Sequence, residues 1–145
     1  MIKYKRVLFV SDIHCPYQDK SALRAMYNFM DWWKPQEVII LGDLVDFYAI
    51  SRFSRDPERV LKLQTELDQA VGVLEEIRQH AKGIKITFLR GNHCDRLKKY
   101  LWSKAQELSG LRALRLEELL EFDRLKISYE DKNQIRYGCV IIKHG

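Results

Sequence analysis

The sequence lacks a long apolar run, and no stretch approaches the ~20 apolar residues that a membrane-spanning helix needs. It also lacks the apolar segment and cleavage site of a signal peptide at its N-terminus. Internal repeats, low-complexity segments and linkers are missing too. We therefore expect a cytoplasmic protein with no membrane partner, and the 145 residues suit a single domain over residues 1–145.

Cysteine is scarce, with only Cys15, Cys94 and Cys139 in the chain. The three residues form no C-x-x-C pair, and their odd number argues against a disulfide framework. A reducing compartment fits this usage. Cys15 and Cys94 each follow a histidine, so they are either soft metal ligands or redox-sensitive thiols, or simply small residues in tight loops.

Charge of one sign does not dominate the chain, which carries 25 lysines and arginines against 20 acidic residues and a formal net charge of +5. This balance favours anionic partners without identifying one. The densest basic stretches are residues 52–59 and 95–100. They either contact phosphate groups or are solvated helix residues.

Hydrophobic periodicity predicts a β-α-β-α-β order, followed by helices and then by strands that look antiparallel. The first half implies parallel strands with right-handed crossovers. The predicted strands are 6–11, 37–41, 84–89, 126–129, 134–137 and 139–143. The predicted helices are 20–34, a helix from Asp56-Pro57 to a cap at Gly83 with Val60 in its apolar stripe, 95–108 and 116–122.

Polar residues directly follow the first three strands, in the segments Asp12-Ile13-His14, Gly42 to Asp46 and Gly91-Asn92-His93. The carboxyl ends of neighbouring strands meet in one crevice of an α/β sheet. Residues two apart in an extended segment point to the same side, so Asp12 and His14 can reach one ion. Each motif alone is weak, since a cap or a turn explains it equally well. Their joint occurrence after three strands indicates a site for Mn, Fe or Zn rather than copper(I).

The order Asp-x-His, Gly-Asp-x-x-Asp and Gly-Asn-His resembles the calcineurin-like metallophosphoesterase superfamily. The resemblance implies an α/β fold with helices flanking a β-sandwich, and hydrolysis of phosphate esters at two divalent metal ions. Manganese is the first expectation, with iron, zinc and nickel as alternatives. By the same resemblance, Asp12 and His14 match ligands of the first metal, Asp43 the bridging carboxylate and Asn92 a ligand of the second metal.

The resemblance also implies roles around these ligands. His93 matches the catalytic histidine, which protonates the leaving alkoxide or stabilises its charge. Asp46 matches the carboxylate that orients this histidine and favours its charged form. Arg90 either contacts substrate phosphate or forms a structural ion pair. His144, after the last predicted strand, matches a further ligand of the second metal.

Two features depart from the family pattern. Cys94 stands where an acidic residue usually follows the catalytic histidine. The family's Gly-His-x-His motif is missing, and with it the C-terminal part of the fold, which leaves three protein ligands for each ion. We therefore expect a truncated piece of a longer phosphoesterase, with a protein completed by dimerisation and a non-catalytic relative as the alternatives. We expect partial metal occupancy and low activity, and any self-association should involve the C-terminal strands as an exposed sheet edge.

The resemblance leaves the substrate open. A phosphorylated small molecule, a nucleotide and a nucleic acid are all compatible partners. Nucleases of the double-strand-break-repair type share the motif set, and the basic stretches would then follow a phosphate backbone. A binding protein is the alternative from another class, because a scaffold subunit of the retromer coat has this fold. The joint presence of His93 and Asp46 argues against a scaffold, which does not need an acid-base pair.

Overall fold

The computed structural model describes residues 4–59 and 61–145. Its helices are α1 (Lys20–Trp33), α2 (Leu63–His80), α3 (Cys94–Lys104), α4 (Leu116–Leu119) and α5 (Phe122–Leu125). Its strands are β1 (Val7–Val10), β2 (Glu37–Ile40), β3 (Lys85–Leu89), β4 (Ile127–Glu130), β5 (Gln134–Tyr137) and β6 (Val140–Lys143). Short 3-10 turns cover Tyr48–Ile50, Gln106–Leu108 and Arg112–Leu114.

The main sheet has four parallel strands in the order β1-β2-β3-β4. Strand β2 is buried along its whole length, as expected of an inner strand of a parallel sheet. Helix α2 packs Leu74 and Ile77 into the core, and Phe88 of β3 meets Phe122 of α5 at a ring-centroid distance of 5.0 Å. This mixed α/β architecture confirms the predicted fold class.

The last two strands form a separate antiparallel pair, β5–β6. Tyr137 of β5 joins this pair to the main sheet, since its ring meets Phe9 edge-on at 6.1 Å and its hydroxyl group contacts Glu37. Val140 and Ile141 of β6 are more than half exposed. Self-association through these strands stays a prediction.

Two predictions about these elements were wrong, namely the direction of β4 and the first residue of α2. Strand β4 was expected to be antiparallel, but it pairs with β3 in parallel, because the helices between β3 and β4 act as a crossover. Helix α2 was expected to begin at Asp56-Pro57, and it begins at Leu63. The Asp56 carboxylate instead accepts a hydrogen bond from the Glu58 amide at 3.0 Å, which favours a local turn. Val60, assigned to that helix, lies outside the described residues.

Smaller differences concern helix ends. Helix α3 ends at Lys104, short of the predicted residue 108, and the chain continues as a 3-10 turn. The predicted helix at 116–122 is split into α4 and α5 by Glu121, which has a positive φ of 54°. Gly83 follows the end of α2 with φ 72°, although Ala81 is the C-cap residue. Among the described residues, no helix is long and apolar enough to cross a membrane.

Candidate metal centre

The loops after β1 and β2 run side by side and extend the parallel pairing of their strands. The amide of His14 donates to the Asp43 carbonyl oxygen at 3.0 Å, and the amide of Cys15 donates to that of Leu44 at 2.7 Å. The amide of Asp46 in turn donates to the Cys15 carbonyl at 2.9 Å. These bonds hold the first two polar motifs next to each other.

Two glycines bring the third motif into contact with the second. Gly42 has φ 92°, and a Cβ atom there would overlap the backbone of Gly91. A Cβ on Gly91 would lie 2.7 Å from the backbone nitrogen of Asp43. Because neither position has room for a side chain, the backbones after β2 and β3 can touch.

Three predicted ligands adopt left-handed backbone conformations that non-glycine residues rarely take. The φ angles are 56° for Asp12, 53° for His14 and 50° for Asp43. Such conformations cost of order 1–3 kcal/mol each and concentrate at functional sites. The backbone is thus strained at the three ligands of the predicted first metal.

One cluster of side chains joins Asp12, Asp43 and His144, whose ligand atoms lie within 4.8 Å of one another. The Nε2 atom of His144 is 3.1 Å from Asp43 Oδ2 and 2.6 Å from Asn92 Oδ1. Asp43 and His144 are buried, whereas the Asp12 side chain is 56% exposed. A hydrogen bond from Ser11 lowers the pKa of the Asp12 carboxyl. The cluster is therefore anionic and open to solvent on the Asp12 side.

A second cluster joins His14, Asp46 and His93. The Nε2 atom of His14 faces Asp12 Oδ1 at 3.4 Å. Its Nδ1 atom lies 3.2 Å from Asp46 Oδ2, although the groups are not aligned as a hydrogen bond. The rings of His14 and His93 meet edge-on at 4.6 Å. His14 thus connects the two clusters.

His93 is held at three atoms. Its amide donates to Asp43 Oδ1 at 2.8 Å, its Nδ1 lies 2.9 Å from the Asp46 carbonyl oxygen, and its Nε2 lies 2.9 Å from Nη2 of Arg96. The Asp46 carboxylate is farther away, at 3.6 Å. The backbone carbonyl of Asp46 is thus closer to the His93 ring than its carboxylate is, and the orienting role of the carboxylate stays a prediction.

Burial lowers the pKa of His93, and the positive charge of Arg96 acts in the same direction, while Asp43 opposes them. A guanidinium can only donate hydrogen bonds, so Nε2 of His93 accepts in this arrangement. Nδ1 then carries the proton and donates to the Asp46 carbonyl. His93 is consequently a neutral imidazole with its tautomer set by its neighbours.

Arg96 also belongs to this site, although it was not among the site residues predicted from the sequence. It donates from Nη1 to the carbonyl and the carboxylate of Asp46, at 2.9 Å and 3.1 Å. The signal was present in the spacing, since Arg96 follows His93 by three residues at the start of a helix and residues three apart share a face.

Arg90 takes up the second of its two predicted roles. Its Nη1 lies 3.1 Å from Asp131 Oδ1, and its Nε lies 3.8 Å from Asp95 Oδ1. Its side chain is directed to a cavity beside α3 that does not include the clustered ligands. A contact with substrate phosphate stays an untested prediction for this residue.

The two cysteines next to the histidines are packed thiols. Burial raises the pKa of Cys15 to about 12 and that of Cys94 to about 11, so both stay protonated near neutral pH. The Cys94 sulfur accepts a hydrogen bond from the Gly91 amide at 3.3 Å. Neither belongs to the ligand clusters that the described residues form. These contacts favour the interpretation as small loop residues.

Glu66 of α2 supports the loop after the second motif. Its fully buried carboxylate accepts hydrogen bonds from the amides of Tyr48 and Ala49, at 3.1 Å and 2.9 Å. Burial raises the pKa of this carboxyl. A buried acid inside an apolar stripe that anchors a distant loop has no local sequence signal.

We expect Glu66→Ala to lower the free energy of unfolding by about 1–3 kcal/mol, because two partly buried amides lose their acceptor. Denaturant unfolding followed by circular dichroism measures this change. Glu76→Ala, at an exposed glutamate of the same helix, is the matched control and should stay within about 0.5 kcal/mol of the wild type. Equal stability of the two variants would show that Glu66 does not hold the loop.

The residues present fit divalent metal ions by their chemistry. Carboxylate oxygens, imidazole nitrogens and an amide oxygen are the donors that Mn, Zn and Fe accept. His144 Nε2 carries at most one hydrogen yet faces two acceptor oxygens, so the buried ligand atoms are not fully satisfied by one another. A cation beside them would satisfy all three.

The family model of the calcineurin-like phosphoesterases matches residues 5–142, and the chain therefore belongs to this family. Among curated proteins it is similar to the Gene 54 protein of Mycobacterium phage L5, with 29% identity, and to the Gene 54 protein of Mycobacterium phage D29, with 30% identity. Each alignment extends over 123 residues and covers 82% of this chain and 48% of the relative, so the chain spans about half the length of the curated relatives it matches. No solved structure matches significantly.

Proposed function

We propose that this chain hydrolyses phosphate esters with the help of two divalent metal ions. The observation that carries the proposal is the convergence of the Asp12 and His144 ligand atoms on Asp43, whose two carboxylate oxygens face different neighbours. One ion would be held by Asp12, His14 and Asp43, and the other by Asp43, Asn92 and His144. When bound, the ions would supply Lewis-acid activation of the phosphoryl group and of the attacking water.

Manganese is the metal we propose, with iron, zinc and nickel as alternatives. A mixed set of oxygen and imidazole donors without thiolate fits this choice. The described residues offer three protein atoms to each ion, so water would complete the coordination and the affinity should be modest. The partly exposed Asp12 leaves the open side that a catalytic site needs.

His93 would act on the leaving group. Its Nε2 is the reactive atom, because Nδ1 is already engaged by the Asp46 carbonyl. Nε2 would take up a proton from solvent once Arg96 is displaced, and it would then give this proton to the leaving alkoxide. General acid-base help of this kind contributes about 10²–10⁴-fold. Arg96 contacts the same Nε2, and its guanidinium is suited to bind a phosphoryl oxygen when substrate displaces it from His93. Arg96 is therefore a candidate substrate-binding group.

A non-catalytic binding protein is the competing function. It would not require a neutral histidine with a defined tautomer beside a cluster of ligands. The contacts of His93 with Asp43, Asp46 and Arg96 favour the enzyme.

The proposal predicts manganese-dependent hydrolysis of bis-para-nitrophenyl phosphate. Protein stripped with a chelator should be inactive, and added Mn²⁺ should restore turnover, which we expect to be low because each ion has only three protein ligands. The release of para-nitrophenol measures the rate. Asp12→Asn removes one ligand charge, so it should lower the affinity for Mn²⁺ and raise the Mn²⁺ concentration needed for half-maximal turnover. Absence of hydrolysis of both this diester and para-nitrophenyl phosphate at saturating Mn²⁺ would rule the proposal out.

A further inference from the structure

A groove of about 770 Å³ adjoins the candidate metal centre. Its walls come from the loop 50–55 and from one side of α3, and Asn92 also lines it. When the reacting phosphate of a substrate contacts the metal centre, the rest of that substrate lies either in this groove or in solvent. The residues that line the groove therefore indicate which chemical class of substrate it can bind.

The lining of this groove is strongly basic. Its five cationic residues are Arg52, Arg55, Arg96, Lys99 and Lys104, and none of the described residues that line it carries a carboxylate. Arg96 contacts Asp46, and Lys99 lies 3.9 Å from Asp95. Arg52 and Lys104 have no carboxylate partner among the described residues. The surplus of positive charge exceeds what a single phosphate group would neutralise.

Two aromatic rings stand among these cations. Phe53 is 62% exposed and Tyr100 is 41% exposed, and they belong to different walls of the groove. The Arg52 guanidinium lies 5.1 Å from the centre of the Phe53 ring. Exposed rings beside cations are the arrangement on which unpaired bases stack while the backbone phosphates are neutralised. An anion without bases would make no use of the rings.

We propose that this groove binds single-stranded nucleic acid and directs one of its phosphodiesters to the metal centre. The inference rests on the proposed function for the cleavage step, but binding in the groove is independent of it. A mononucleotide would occupy one ring and few of the cations. A duplex would keep its bases stacked on one another, away from both rings.

The test measures binding of a fluorescent oligothymidylate of about ten nucleotides by anisotropy, with a chelator present so that no cleavage occurs. Phe53→Ala and Tyr100→Ala should each weaken binding roughly five- to hundredfold, as loss of a stacked base implies. Arg52→Gln and Lys104→Gln should each reduce the slope of log affinity against log salt by roughly 0.7.

Matched controls lie outside the groove. Trp32→Ala removes a ring that is 76% exposed on α1, and Lys98→Gln removes a cation that lies over Trp102 in a different cavity. Both controls should bind the oligonucleotide as the wild type does. Equal affinity of the ring variants and the Trp32→Ala control would overturn the proposal, as would tighter binding of a duplex or of a nucleoside triphosphate than of the oligothymidylate.

The two proposals fail in different ways. Hydrolysis of bis-para-nitrophenyl phosphate without oligonucleotide binding would overturn the proposal that the groove binds nucleic acid. It would leave the proposed phosphoesterase activity standing. Oligonucleotide binding that depends on Phe53 and Tyr100, without hydrolysis of either ester, would support the groove and overturn the proposed function.

Discussion

Replacing His93 with alanine is expected to lower kcat for bis-para-nitrophenyl phosphate by about 10²- to 10⁴-fold while metal content stays at the wild-type level. The physical reason is that the imidazole acts only on the leaving group. The bond between His93 and Asp43 comes from the backbone amide, so the substitution leaves it in place. Steady-state kinetics together with metal analysis of the same samples measures both quantities.

His80→Ala is the control for this prediction. His80 lies away from the site, where it stacks on Tyr27 and contacts Asp31 at 2.7 Å. Its loss should leave kcat unchanged. Unchanged turnover in His93→Ala would show that His93 is not the catalytic residue, and a parallel loss of metal would show that it acts through the ligands.

Replacing Asp43 with asparagine is expected to abolish measurable binding of both metal ions and with it the activity. Asparagine keeps the size of the side chain but replaces a shared carboxylate oxygen with an amide group. That change removes the negative charge between the two proposed sites and directs a donor at His144 or at the His93 amide. The loss of affinity should exceed the roughly 10–100-fold that removal of an outer-shell partner costs.

Titration of the apo protein with Mn²⁺ measures this effect, and Asp68→Asn is its control. Asp68 is exposed on α2 and contacts Gln64 only through a surface hydrogen bond of 2.8 Å. Retention of one site with wild-type affinity in Asp43→Asn would mean that Asp43 does not bridge two ions. Wild-type affinity at both sites would remove Asp43 from the ligand set.

The parallel sheet was predictable because buried strands are short, apolar and bounded by turn residues. Strands β1, β2 and β3 lie within the predicted ranges for this reason. The direction of β4 was not predictable from its own residues. Pairing direction depends on the crossover that precedes a strand, and the short helices α4 and α5 were expected as one element.

The start of α2 illustrates a different limit. Asp56 and Pro57 are good residues for the first turn of a helix, but the same aspartate also favours a local turn. In the structure, the Arg59 guanidinium lies over the rings of Tyr17 and Tyr48. These contacts hold the segment against another loop and favour the local turn over the helix. Contacts between distant residues overrode the local preference.

The ligand cluster was predictable in position but not in detail. The motifs follow neighbouring parallel strands, so Asp12, Asp43 and Asn92 had to meet at one end of the sheet. The hydrogen-bond partners of His93 depend on side-chain directions that sequence spacing does not determine. For this reason the role of the Asp46 carbonyl and the contact from Arg96 emerged only from the structure.

The most direct test of the proposed dinuclear centre is the number of Mn²⁺ ions that the apo protein binds at saturation. Isothermal titration calorimetry on this chain, carried to excess metal, counts the sites even when their affinity is modest. We predict two ions per chain in the wild type and the loss of both sites in Asp43→Asn. A single site, or none, would contradict a dinuclear centre built on Asp12, His14, Asp43, Asn92 and His144.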